Sequence, residues 1–214
     1  MALAIAAVSA YLLCCVALVL YRWMDPPTTG VQIQRRIEAA FSGKPYKKSY
    51  EPVPLSRISI DLQHAVVAAE DTHFYQHHGI DWQVVDQLIE EDMDDGHFGR
   101  GGSTITQQLV KNLFLTTSRS FIRKGCEFIL APTAELILNK QRILALYLNV
   151  IEWGPGIYGA EAGAQFHFHT SATHLTRDQA ARLAAIVPNP RRRRPARMNS
   201  YSEIILGRMS QMGW

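Results

Sequence analysis

Apolar positions along the chain form one unbroken block followed by a series of periodic ones. Ala2 to Leu20 is a nineteen-residue run without a charge, interrupted only by Ser9, and it ends on the aromatic and basic edge Tyr21-Arg22-Trp23. At about 1.5 Å per residue the block approaches the roughly 30 Å of a bilayer core, and such an edge suits the headgroup region. It exceeds the apolar part of a typical signal peptide and carries neither a charged leader nor a clear cleavage site. The pattern predicts a transmembrane anchor over residues 1–22, with a cleaved signal as the alternative and a basic leader ahead of Met1 as the missing piece. The basic residues after the block, Arg22, Arg35 and Arg36, by themselves place the body on the cytoplasmic side.

Residues 23–30 read as a linker, because the paired Pro26 and Pro27 cannot continue a helix. The soluble body then covers 31–214. Helical periodicity predicts a helix over Gln32 to Phe41 and a second one opened by Ser59 or Asp61 and closed at Gly79. An amphipathic helix follows over Trp82 to Met93, with a glycine-rich loop from Gly96 to Gly102. Further helices are expected at Ile105 to Leu113, Ser120 to Leu130, Thr133 to Leu148, Gly159 to Phe166, Arg177 to Ile186 and Tyr201 to Met212. A break is expected between Leu130 and Thr133, since Pro132 lacks the N–H a helix interior needs. No run alternates as a sheet would, so the fold class is mostly α.

Composition adds three exclusions. With 214 residues and 47% apolar content the chain can bury a core and is not disordered as a whole. Three cysteines, two of them the adjacent Cys14 and Cys15, do not make a disulfide framework. A net charge of +3 hides a sorted distribution: Asp61 to Gly96 holds ten acidic residues and no Lys or Arg, whereas His97 to Arg142 holds seven basic residues against Glu127 and Glu135. Two solvated faces of opposite sign would explain this, and so would an acidic catalytic group set beside an anion site.

Three constellations carry chemistry. Glu70 and Asp71 end an apolar helical stripe of Leu62, Ala65, Val66 and Ala69. A carboxylate beside a buried stripe can have its pKa raised towards neutrality, as a general base requires. His73 and His77 are spaced for one helical face, but the zinc-protease pattern is absent and packing histidines are expected. Thr104 and Gln107 form a capping box after the glycines, so a helix N-terminus could receive an anion, with Gln107, Gln108 and Lys111 one turn on. The third is Arg119, Arg123 and Lys124 crowded together, with Glu127 one turn beyond. Base, anion-receiving helix end and cations together suit a substrate with a phosphate leaving group, where charge neutralisation matters more than protonation.

Read in order, Glu70-Asp71-x-x-Phe74-x-x-His77-x-Gly79, Gly102-Ser103-Thr104-Ile105-Thr106-Gln107-Gln108, Arg123-Lys124-x-x-Glu127 and Lys140-x-x-Ile143-Leu144-x-x-Tyr147-Leu148-Asn149 resemble the successive motifs of the bacterial peptidoglycan glycosyltransferases. The resemblance covers Pro26 to Arg197 and is to the monofunctional members, which lack transpeptidase activity. It implies a lysozyme-like helical head with a smaller jaw near Trp82 to Leu115 that dips into the bilayer, Phe98, Leu113, Phe114 and Leu115 supplying lipid-facing surface. It implies inverting polymerisation of lipid II, with Glu70 taking the proton from the acceptor sugar's 4-hydroxyl and Glu127 on the pyrophosphate side. The implied substrate-binding set is Asp71, Ser103, Thr104, Gln107, Gln108, Lys111, Asn112, Arg119, Arg123 and Lys124. No metal site is certain; a divalent cation, Mg or Mn, beside Glu127 is the one cofactor the resemblance allows. The implied partners are lipid II, the growing lipid-linked glycan strand, the membrane and cell-division or elongation proteins, with no nucleic acid. The implied place is the outer, periplasmic face of the cytoplasmic membrane, against the charge count around Arg22.

Two departures from the family pattern stand out: His167 occupies a tyrosine position, and Pro132 sits where a helix should continue. The rivals are a lysozyme-like hydrolase, which has no use for the cation cluster, and an inactive membrane-anchored scaffold, which has no reason to retain both glutamates.

Overall fold

The computed structural model describes residues 1–43, 45–87, 102–118 and 120–214, without the side chain of Leu3. Nine helices of eight residues or more are named within these residues: α1 (Ala2–Leu20), α2 (Gly30–Phe41), α3 (Ile60–Glu70), α4 (Ile105–Phe114), α5 (Phe121–Ile137), α6 (Lys140–Val150), α7 (Ala160–Phe168), α8 (Arg177–Ala184) and α9 (Asn199–Gln211). Most open on a side chain that accepts from the first turn: Thr29, Ser59, Thr104, Ser120, Asn139 and Thr176 each bond a backbone N–H three residues on. The expected linker therefore ends a residue early, at Thr29, because that threonine caps α2.

The mostly α class holds, with one small addition. Strands β1 (Ser49–Tyr50), β2 (Glu152–Gly154) and β3 (Ile157–Tyr158) make a three-stranded sheet in the order β1-β3-β2, β1 parallel and β2 antiparallel to β3. Strands of two or three residues are too short to display an alternating pattern, which is why the sequence does not announce them.

Two helix boundaries correct the expectation. The helix that opens at Ser59 ends at Glu70 rather than at Gly79, because Asp71 leaves helical geometry with φ −163°. The chain from Asp71 to Ile80 is a series of turns, so His73 and His77 do not share a helical face. Each finds its own carboxylate instead: His73 Nδ1 lies 2.8 Å from Asp81, and His77 Nε2 lies 3.0 Å from both oxygens of Asp71. The second correction is Pro132, which sits inside a continuous α5; the break falls at Leu138. Leu130, Ala131 and Ala134 are buried on one face that spans the proline, and this packing outweighs a single absent backbone bond. Gly79 docks against that same turn. With φ +95°, and an added Cβ only 2.8 Å from the Ala131 carbonyl carbon and the Pro132 nitrogen, it is a position only glycine fits.

The core is one cluster. α3 packs on α8 and α9, and α4 packs on α2, α5 and α6. Leu62, Ala65, Val66, Phe74, Ile105, Leu109, Ile143, Leu146, Leu183 and Ile205 are all buried in it. α6 is buried along its whole second half, and Trp153 lies beneath Gly163, where an added Cβ would come within 2.9 Å of the indole. α1 touches the body at its C-terminal half: Leu18 is buried, Tyr11 Oη lies 3.1 Å from Thr133 Oγ1, and Tyr21 stacks on Phe114. Among the described residues no helix is long and apolar enough to cross a membrane. The helix predicted over Trp82 to Met93 is present over 82–87; its remainder, most of the glycine-rich loop, Phe98 and Arg119 lie outside the described residues.

Candidate active site

The stripe of α3 delivers Glu70 at its last turn, where the helix ends against α4. Glu70 lines a small cavity of about 150 Å³ with Ala69, Asp71, Asp81, Ser103 and Arg208. The cavity shares Ser103 with a larger cleft of about 490 Å³ lined by Arg35, Gln108, Lys111, Asn112, Arg123, Lys124, Glu127, Glu152 and Arg191. Gln108 Nε2 donates to Glu70 at 2.8 Å, and Tyr147 Oη donates to Gln108 Oε1 at 2.8 Å. Burial pushes the Glu70 carboxyl above its ordinary range; the Gln108 bond and the charges of Lys111 and Arg193 oppose the rise, and Asp71 adds to it.

Glu127 is handled differently. Only 2% exposed on α5, it accepts from Lys124 Nζ at 3.0 Å and from Arg123 Nη1, one cation on each oxygen. The i,i+3 and i,i+4 spacing of the helix places both cations on its face. Lys124 Nζ also donates to Ser103 Oγ at 2.8 Å, which ties the start of the α4 segment to α5. Burial, with Arg123 and Lys111 nearby, brings Lys124 down to about 8, and burial likewise lowers Lys111. Three cations thus line the cleft that adjoins the Glu70 cavity at Ser103.

A divalent ion beside Glu127 does not fit these residues. Both carboxylate oxygens already accept from a cation, and among the described residues no group of three His, Cys, Asp or Glu is placed to hold a metal.

Part of the expected binding set turns inward. Asp71 accepts from the backbone N–H of Ile105 at 2.9 Å while also holding His77. It acts as an internal anion that fills the N-terminus of α4. The Thr104 N–H goes to Gln107 Oε1, and the Gln107 N–H to Thr104 Oγ1, whose own hydroxyl donates to the Gly79 carbonyl at 2.7 Å. The capping box forms as predicted, but three of the N–H groups that would have received an anion already have protein partners. Thr104 and Gln107 are buried, so the face expected to hold Gln107, Gln108 and Lys111 instead presents Gln108, Lys111 and Asn112 to the cleft. Ser103, Arg123 and Lys124 join them there; Arg119 is outside the described residues.

Sequence reasoning missed the far end of the cleft and the support behind Glu70. Arg35 from α2 bonds Glu152 of β2 at 3.3 Å and Glu38 at 2.8 Å, with Arg191 close to both glutamates. Residues 191–194 are four consecutive arginines, and only the fold sets Arg191 in the cleft and brings the charge of Arg193 to bear on Glu70. Tyr147 belongs to a motif quoted above, which by itself gave it no role; the structure buries it fully behind Gln108. His167, at the family's tyrosine position, places Nε2 2.7 Å from the Trp153 carbonyl and so stays on the buried side of α7.

Comparison with known proteins identifies the family. The family model described as Transglycosylase matches residues 35–210. The chain is 44% identical over 194 residues to the biosynthetic peptidoglycan transglycosylase of Dechloromonas aromatica, covering 89% of this chain and 84% of that one. It is 44% identical over 197 residues to the protein of the same name from Bordetella pertussis, covering 88% and 81%. To that of Herminiimonas arsenicoxydans it is 48% identical over 161 residues, covering 73% and 70%. The chain belongs to the transglycosylase family and is a glycosyltransferase.

Proposed function

We propose that this glycosyltransferase polymerises lipid II into glycan strands by a single inverting displacement. The relatives' shared name supports the substrate class. The observation that carries the mechanism is the pairing of a desolvated Glu70, bonded to one amide donor, with Lys111, Arg123 and Lys124 in an adjoining cleft. The acceptor's 4-hydroxyl loses its proton to Glu70 as its oxygen attacks the anomeric carbon of the donor. The bond from that carbon to the pyrophosphate oxygen breaks on the opposite face. The leaving group departs with the electron pair as the lipid pyrophosphate, its charge met by the three cations. Glu127 does not touch the substrate in this reading; it holds Arg123 and Lys124 at fixed positions.

We propose further that α1 attaches the protein to the membrane by its apolar surface, with the body on the outer face, where lipid II is consumed. Ile5, Val8, Leu12, Leu13 and Val16 are exposed along it and support that attachment. Phe121, Ile122, Ile129 and Leu136 expose further apolar surface on α5, the helix α1 packs against. In the test, purified protein and its Glu70→Gln variant are incubated with labelled lipid II. Polymer from the wild type alone supports the proposal; cleavage of finished glycan, or no reaction from either, overturns it.

A further inference from the structure

We infer that Tyr147 is a positioning residue for the transfer step: its hydroxyl fixes which end of the Gln108 amide faces Glu70. The inference rests on the reading of Glu70 as the base. A glutamine amide has two orientations of nearly equal shape, one presenting N–H and the other C=O. Presented with C=O, Gln108 would set a lone pair against the ionised carboxylate. Presented with N–H, it stabilises the charged base. The structure holds the second arrangement from behind, because Tyr147 Oη donates to Gln108 Oε1 at 2.8 Å while Gln108 Nε2 donates to Glu70 at 2.8 Å and leans towards the Ser103 carbonyl at 3.5 Å.

Tyr147 can do this dependably because it is fully buried on α6, and burial keeps the phenol protonated. The main chain of Gln108 is held as well, its carbonyl accepting from Asn112 Nδ2 at 2.8 Å. Only the terminal torsion of Gln108 therefore remains to be set, and the phenol sets it. Other charged groups around Glu70 are Lys111 on α4, Arg193 after α8, Arg208 on α9 and the carboxylates of Asp71 and Asp81. None of these is within reach of the Gln108 Oε1 bond, so removing the Tyr147 hydroxyl changes the amide and leaves them in place.

The test is the pH profile of lipid II polymerisation by the full chain. Tyr147→Phe should lower kcat about tenfold with KM little changed, and should move the acid limb up by about half a pH unit, as expected for one lost hydrogen bond to a bond donor. Replacing Tyr147 by 3-fluorotyrosine, a stronger donor of the same shape, should move that limb down; this keeps the test available if the phenylalanine variant does not fold. If Tyr147 acts only through Gln108, the double variant Tyr147→Phe with Gln108→Met is no slower than Gln108→Met alone. An unshifted acid limb in both Tyr147 variants, or additive losses in the double variant, overturns the inference while leaving Glu70 as the base. Full polymerisation by Glu70→Gln overturns both.

Discussion

Of the two glutamates, Glu127 is buried in the cleft wall and Glu70 half-buried in the adjoining cavity, and they are treated in opposite ways. Glu70 has one neutral amide donor, and burial raises its pKa. Glu127 has a cation on each oxygen. Burial alone therefore does not decide what a carboxylate is for; the donors around it do. A carboxylate with one neutral donor keeps an oxygen and an affinity for a proton, which a base needs. One paired with a cation on each oxygen is engaged in those ion pairs, and serves as a template that holds the cations towards the cleft.

The comparison can be broken most directly at Glu70. Glu70→Gln should reduce polymerisation by about 10²- to 10⁴-fold, the range for loss of a general base, read from product length and amount with labelled lipid II. Its stability should not suffer, since the substitution removes a desolvated charge. Glu127→Gln should do the reverse to the fold. Leaving two partly exposed cations around a neutral amide costs about 1 kcal/mol, measurable by urea unfolding; equal stability of the two variants would erase the distinction between the two glutamates.

A smaller effect tests the cation side. Lys124, at about 8, is charged below that pH and loses its charge above it. The wild-type rate should fall on the alkaline side near pH 8, and in Lys124→Arg that limb should move upward, because arginine stays protonated. An alkaline limb that stays near pH 8 in this variant would remove Lys124 from the leaving-group site.

The smallest effect is on stability against pH. Glu70 has a folded pKa raised above its unfolded value, so its contribution is fully favourable below the unfolded pKa and is lost as pH rises through the folded one. Unfolding free energy should therefore decline over the window that opens above about 4.5, and Glu70→Gln should flatten that decline. An identical slope in both proteins would mean that Glu70 is no more desolvated than in the unfolded chain.

Much of this was legible in the chain. The caps at Ser59, Thr104 and Ser120 are local signals, as are the i,i+4 pair of Arg123 and Glu127 and the apolar stripe that leads to Glu70; neighbours in sequence decide them. The turn series after Glu70 was not legible. Asp71 is drawn out of the helix by Ile105 and His77, and Ile105 is 34 residues away. Nor was the unbroken α5, since the tolerance of Pro132 depends on what packs across it. The inward turn of Gln107 and Thr104 follows the same logic: the box that defines the helix start occupies the very groups that an open anion site would need.

By itself, then, the sequence determined the helical class, most helix starts, the motif order that marks the family and the identity of the two glutamates, because these depend on contacts within a turn or two of the chain. Only the tertiary structure decided their roles. Glu70 meets Gln108 across 38 residues and Gln108 meets Tyr147 across 39, while Glu127 is satisfied one helical turn from its own position. A carboxylate's proton affinity is set by whatever donors and low-dielectric surroundings the fold brings to it, and these come from distant parts of the chain.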